Sequence, residues 1–162
     1  MARKSLSHPP SLLDYNGMKF LIFDAPTDRN IQLYIKEFKK HNVVRIVRTC
    51  EQTYSTEQLT QMNIKCTALN FADGTGPSTQ QITSWLRIVK KTFKQSPNST
   101  LGVHCVAGLG RAPLLVCVAL IEDGVSPQKA IEMVRNVRSG ALNSNQIRWL
   151  RKYHKKSLCI IS

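Results

Sequence analysis

The chain has 162 residues, 42% of them hydrophobic and 20% charged, enough apolar material for one domain with its own core and too much for a disordered chain. Its formal charge of +13 calls for a negative partner: nucleic acid, a phosphorylated substrate or an anionic membrane. With no Cys/His finger spacing and no aromatic RNA-binding signature, nucleic acid drops out of that set.

In chain order, "MARKSLSHPPSLL" has neither a long apolar segment nor Gly at position 2, so neither a secretory signal nor a myristoyl anchor is expected there. Residues 12–23, "LLDYNGMKFLIF", are two apolar runs about Asn16-Gly17, a pair that tolerates positive φ and suits a hairpin turn. In 27–42, Thr27 and Asp28 are capping candidates, and Ile31, Leu33, Tyr34, Ile35 and Phe38 recur as a helix face does. Residues 42–48 are short and β-branched, 55–63 read as a short helix, and 64–71 alternate as a strand should. A loop over 72–77 leads to a helix from Ser78, then to a last strand over 100–105. Helices are predicted over 113–123, 126–138 and 144–156, with Ser126-Pro127 as a start and Gly140 as a stop. The longest apolar run, "PLLVCVALI", has nine residues, short of a membrane span. This alternation predicts a single α/β domain. Its central sheet has about five mostly parallel strands after an N-terminal hairpin, with the ligand site at their carboxyl ends.

Cys105 stands at one such end, in "HCVAGLGRAP" (104–113). Gly108 and Gly110 free the backbone to turn the N–H groups of Val106, Ala107, Gly108, Leu109 and Gly110 into one concavity. The helix that follows adds its positive end. A thiol in such a cradle moves toward thiolate, and Arg111 can grip two phosphate oxygens. A low-pKa nucleophile beneath a bound phosphoryl group is what covalent phosphoryl transfer needs. The leaving oxygen needs an acid. Asp73, in "NFADGTGPS" between strand and helix, is the candidate, though Asp-Gly also reads as a turn former. The five cysteines are Cys50, Cys66, Cys105, Cys117 and Cys159. They form no CxxC pair and no metal spacing, so no metal and no cofactor are expected.

Together with "FADG" at 71–74, this loop resembles the cysteine-dependent protein tyrosine phosphatases of dual-specificity size. More narrowly, the chain resembles the phosphatases of regenerating liver, the prenylated type IVA tyrosine phosphatases. The shared stretches are "HCVAGLGRAP", "VRTCE" (47–51), Asp73-Gly74 with Pro77 and Gln80, "ALIEDG" (119–124) and "RSGALNSNQ" (138–146). The resemblance implies a three-layer tyrosine phosphatase fold with helices on both sheet faces. It assigns Cys105 as nucleophile, Arg111 as phosphate ligand, Asp73 as general acid and 106–110 as backbone donors. It also implies a reversible disulfide between Cys50 and Cys105, which would shelter the nucleophile from irreversible oxidation. Cys66 and Cys117 read as core. Two departures stand out: Ala72 precedes Asp73 where the family carries a second acid, and "LNF" replaces its Trp-Pro-Phe. A third feature is Ala112, where relatives outside the family place a Ser or Thr that helps the thiolate leave.

The sequence ends in "CIIS", matching a prenylation box, with the terminal Ser favouring farnesyl on Cys159. Arg148, Arg151, Lys152, Lys155 and Lys156 precede it and supply the second signal that one lipid needs. The expected organisation is a phosphatase domain over 1–157 and a lipidated tail over 158–162. The expected function is a phosphotyrosine-protein phosphatase at the cytoplasmic face of plasma and endosomal membranes, with a cytosolic or nuclear pool when unprenylated. The apolar Val106, Ala107 and Leu109 disfavour a polyphosphoinositide substrate. The alternative implied by the resemblance is a slowly turning binding module that engages CBS-domain magnesium-transport mediators, and the same resemblance leaves room for a homo-oligomer.

Overall fold

The structure, a computed structural model, describes residues 5–153. Asn16 and Gly17 take φ of 49° and 84°, the paired positive values that let a two-residue turn follow the twist of its strands. They join β1 (Ser11–Tyr15) to β2 (Met18–Phe23) as an antiparallel hairpin with Leu13 opposite Phe20. Next, α1 (Ile31–Lys40) buries Ile31, Tyr34, Ile35 and Phe38 along one stripe. Its start corrects the sequence-based expectation, because neither Thr27 nor Asp28 caps it. Asn30 holds the cap position without a side-chain bond to the helix. Its Oδ1 accepts from Thr27 N–H, while Asp28 Oδ1 accepts from Ser55 N–H, so these side chains tie loops together instead.

β3 (Val43–Arg48), α2 (Glu57–Gln61) and β4 (Lys65–Ala68) follow. β4 is shorter than the alternation over 64–71 suggests, because its partner strand ends at Arg48, opposite Ala68. α3 (Thr79–Gln95) begins where Ser78 and Gln81 close a reciprocal capping box. It leads to β5 (Thr100–His104) and then to α4 (Arg111–Glu122), α5 (Pro127–Val137) and α6 (Ser144–Lys152). α4 starts two residues ahead of Pro113, since no N–H in the first turn has an intrahelical acceptor and proline is tolerated throughout it. The last helix stops at Lys152, short of the expected 156, because Tyr153 leaves the helix for extended backbone with φ −70° and ψ 127°; residues 154–156 lie outside the described ones.

The strands lie in the order β1-β2-β5-β3-β4, with every pair parallel except the β1–β2 hairpin. α1 and α2 cover one face, around Leu21, Phe23, Ile46 and Leu59. α3 to α6 cover the other, around Phe20, Trp85, Leu101 and Leu115. This is the expected three-layer α/β arrangement. α4 is apolar on all sides and buried over 112–121, as a helix sandwiched between sheet and outer helices must be. Because the four parallel strands share one direction, the segments after β2, β3, β4 and β5 gather at a single end of the sheet.

Candidate active site

Cys105 follows the central strand at that end and is buried. The carbonyls of the loop after it are all held from outside. Cys105 O accepts from His104 Nδ1 at 3.1 Å, and Val106 O from Ala25 N–H at 2.9 Å. Ala107 O and Gly108 O accept from Arg138 Nη2 and Nε at 3.3 and 2.7 Å, and Leu109 O from Leu142 N–H at 2.7 Å. A trans peptide that turns its C=O outward turns the next N–H inward. The N–H groups of residues 106–110 therefore face the cleft, and none donates to the backbone of the described chain. Set against the N-terminus of α4, they make an anion site.

The two glycines serve this loop differently. Gly108 takes φ of 69°, and a Cβ there would lie 2.7 Å from Phe23 O, so both conformation and space demand it. Gly110 has φ of −126° and is needed for space alone. A Cβ on it would come within 2.8 Å of Gln146 Nε2 and 3.2 Å of Asp73 Oδ1. That contact also locates the Asp73 carboxylate above the loop.

Arg111 opens α4 and sends Nη1 across the cleft floor to Thr49 O and Phe71 O, at 3.2 and 3.1 Å. These carbonyls fix the guanidinium plane. Its Nε is buried without a partner among the described residues, leaving donor capacity for an incoming oxyanion. Asp73 is exposed on a turn where Thr75 Oγ1 donates to Ala72 O at 3.0 Å and Gly74 takes φ of 84°. The turn is anchored behind: Gln81 Nε2 donates to Asn70 O at 2.7 Å, Pro77 is buried, and Gly76 lies under the Trp149 indole. Phe71 and Leu69 pack against the core, so the "LNF" stretch is seated there. Cys105, Arg111, Asp73 and the 106–110 loop meet in one cleft of about 340 Å³, which Gln146 also lines.

Five neighbours were given no role from sequence. His104 is fully buried and lies 2.7 Å from Tyr54 Oη through Nε2. A carbonyl only accepts, so Nδ1 carries the hydrogen that reaches Cys105 O, and Nε2 takes the Tyr54 O–H. Burial pushes this imidazole down to about 4; the bond to Cys105 works against that, and Arg48 adds to it. Burial also raises the Tyr54 phenol, keeping it a donor. Thr49, itself buried, donates through N–H and Oγ1 to His104 O, at 3.0 Å each. Arg138, read from sequence only as a helix end, pairs with Asp24 at 2.6 Å and also reaches Ile22 O while holding the loop. Gln146 gives Oε1 to the Asn143 N–H as a helix cap, while its Nε2 is buried, unpartnered among the described residues, beside Gly110. The shared "RSGALNSNQ" stretch was the one signal for the last two.

Cys50 is buried just past β3 and borders a second cleft on the other side of Arg111, with Thr49 and Phe71. Burial pushes its thiol up, and Arg111 opposes that. Cys50 and Cys105 are both free thiols. Burial also raises the thiols of Cys66 and Cys117, the latter to about 12. Cys159, with Lys155 and Lys156, lies outside the described residues. Val106, 62% exposed, and Leu109, 39% exposed, form an apolar rim.

The family described as "DSPc: Dual specificity phosphatase, catalytic domain" matches residues 25–156. The chain is 47% identical to "Probable protein tyrosine phosphatase type IVA A" of Dictyostelium discoideum, over 98% of this chain and 97% of that one. It is 46% identical to "PRL-1 phosphatase" of Drosophila melanogaster, over 97% of this chain and 89% of that one. Among solved structures it resembles a putative protein tyrosine phosphatase from Leishmania major. That likeness has a TM-score of 0.80 and 37% identity, over 90% of this chain and 98% of the other.

Proposed function

The chain belongs to the type IVA protein tyrosine phosphatases, within the dual-specificity phosphatase fold, and from that premise we propose a membrane-tethered enzyme that turns over slowly through a phosphocysteine. The observation that carries the reading is the convergence of Cys105, Arg111 and Asp73 on one cleft whose floor is inward-facing N–H groups. A phosphotyrosine phosphate entering it has its equatorial oxygens held by those donors and by Arg111. Cys105 Sγ attacks phosphorus, the P–O bond to tyrosine breaks, and Asp73 gives its proton to the phenolate. Water then attacks the phosphocysteine, Asp73 takes its proton, and the Cys105 thiolate leaves with inorganic phosphate as the other product.

The second step is the slow one. Ala112, buried in the first turn of α4, offers no hydroxyl to the departing thiolate. A hydrogen bond to a charged group is worth about 1.5–3 kcal/mol, so Ala112→Ser should speed steady-state turnover by about tenfold or more. The phosphorylated fraction should fall with it. Intact mass spectrometry after mixing with an aryl phosphate checks both, because phosphate should accumulate on Cys105 in the parent and not in Cys105→Ser. The absence of both an adduct and hydrolysis under reducing conditions would sink the enzymatic assignment of these residues.

Under peroxide, Cys105 would pass to a sulfenic acid, and the Cys50 thiol would displace water to give the disulfide. Their positions on either side of Arg111 support that reading. A farnesyl on Cys159 and the basic residues before it would hold the enzyme at the cytoplasmic face of plasma and endosomal membranes. The apolar rim of Val106 and Leu109 favours a second reading, in which a protein partner such as a CBS-domain magnesium-transport mediator covers the cleft. Partner binding that survives in Cys105→Ser and is lost on Leu109→Glu would favour it.

A further inference from the structure

We infer that the end of the molecule opposite the cleft, led by the outer face of α3, docks on an anionic phospholipid bilayer and so points the cleft away from the membrane. The orientation rests on the reading of Cys159 as lipid-bearing; the docking face stands on its own evidence. α3 starts beside the Asp73 loop and runs away from it toward the beginning of β5. Ile82, Trp85, Ile88, Val89 and Thr92 face inward. The outward positions change character along the helix. Near the site Gln80 and Thr83 are neutral, and beyond them come Arg87, Lys90, Lys91 and Lys94, all exposed along one shallow groove. Separations of three, four and seven put these four cations on one face. None forms an ion pair within the described chain. Like charges on neighbouring turns destabilise a helix, so the stripe burdens the isolated fold and is relieved by an opposing negative surface.

The path of the chain selects which negative surface. α6 also runs away from the cleft, and its C-cap residue Tyr153 donates Oη to Glu122 Oε1 at the last turn of α4. α4 begins at the cleft and has 12 residues, which is roughly 18 Å of helix. The described chain therefore finishes beside the last turn of α4, at the end of that helix away from Cys105. Cys159 follows Tyr153 by six residues, at most about 20 Å of extended chain. A lipid there tethers the bilayer within reach of the end of α4 where the described chain finishes, the end toward which the α3 stripe also runs. One lipid chain binds a membrane only marginally, and cations at an anionic leaflet strengthen it. Phosphate then reaches the cleft from the aqueous side, on proteins rather than on headgroups of the same bilayer.

The test uses the full chain made in bacteria, without lipid, sedimented with vesicles of phosphatidylcholine alone or with phosphatidylserine added. Binding is expected to the serine-containing vesicles only. Lys90→Gln/Lys91→Gln/Lys94→Gln should lower that partition by about tenfold or more, while Arg29→Gln/Lys36→Gln, exposed nearer the cleft end of the molecule, should change it by less than about threefold. Both variants should hydrolyse a soluble phosphopeptide at the parent rate, which controls for folding. Equal losses in the two, no loss in the first, or binding to RNA without binding to vesicles overturns the docking face. Protein from eukaryotic cells that lacks a farnesyl mass on Cys159 overturns the orientation instead, leaving the vesicle result to judge the stripe.

Discussion

His104 is a residue whose charge state is decided by where the fold puts it. Enclosed by Tyr54, Phe23 and the Cys105 backbone, it is held near 4 by burial, against an ordinary value of about 6.5. Between those values the unfolded chain binds a proton and the folded chain does not. The contribution is therefore fully present above pH about 6.5 and lost as pH falls toward 4, and it amounts to about 3 kcal/mol. Urea unfolding of the parent should weaken across that window, and His104→Gln should flatten the slope. Parallel profiles for the two proteins would mean another group titrates. The same side chain illustrates what a residue string conceals. His104 was visible beside the cysteine, but Tyr54 lies fifty positions away and only the packing of β3's outgoing segment against β5 makes them partners.

At the scale of elements, the cleft is assembled by segments that approach it from behind. The turn from α5 to α6 sends Arg138 into the loop carbonyls and holds Leu142 at φ of 71°, so that its N–H reaches Leu109 O. The Asp73 loop is fixed in a comparable way, through Gly76 against α6. A Cβ at Gly76 would fall 1.9 Å from Trp149 Nε1, an overlap that the loop or the indole must relieve by moving. Gly76→Ala should therefore cut kcat by about tenfold through displacement of the acid, while vanadate still binds the Cys105 cradle. An unchanged kcat would show that the loop adjusts freely. Helices and strands were legible here because hydrophobic period and capping residues act locally; the α3 box of Ser78 and Gln81 is an instance. The Asp28 cap misled because its carboxylate had a better acceptor role in a distant loop, at Ser55.

For the whole molecule, α4 is the pivot on which the cleft and the outer layer both rest. Trp85 of α3 buries its ring against Phe20 and donates Nε1 to Leu115 O of α4 at 2.7 Å. Trp85→Ala should cost about 3–5 kcal/mol, lowering the melting temperature by roughly 10 °C in a domain of this size. A smaller shift in calorimetry would mean that the outer layer repacks. The sequence by itself determined the strand–helix alternation, the hairpin at Asn16-Gly17 and the "HCVAGLGRAP" loop, since each is written in neighbouring residues whose conformational preferences need no distant help. Only the tertiary structure decided what holds the loop's carbonyls from behind, that Gln146 and Arg138 attend the loop, and that the α3 cations lie at the opposite end. Those facts depend on side chains far apart in sequence being brought within a few ångströms, and no local rule of turn, cap or period carries that information.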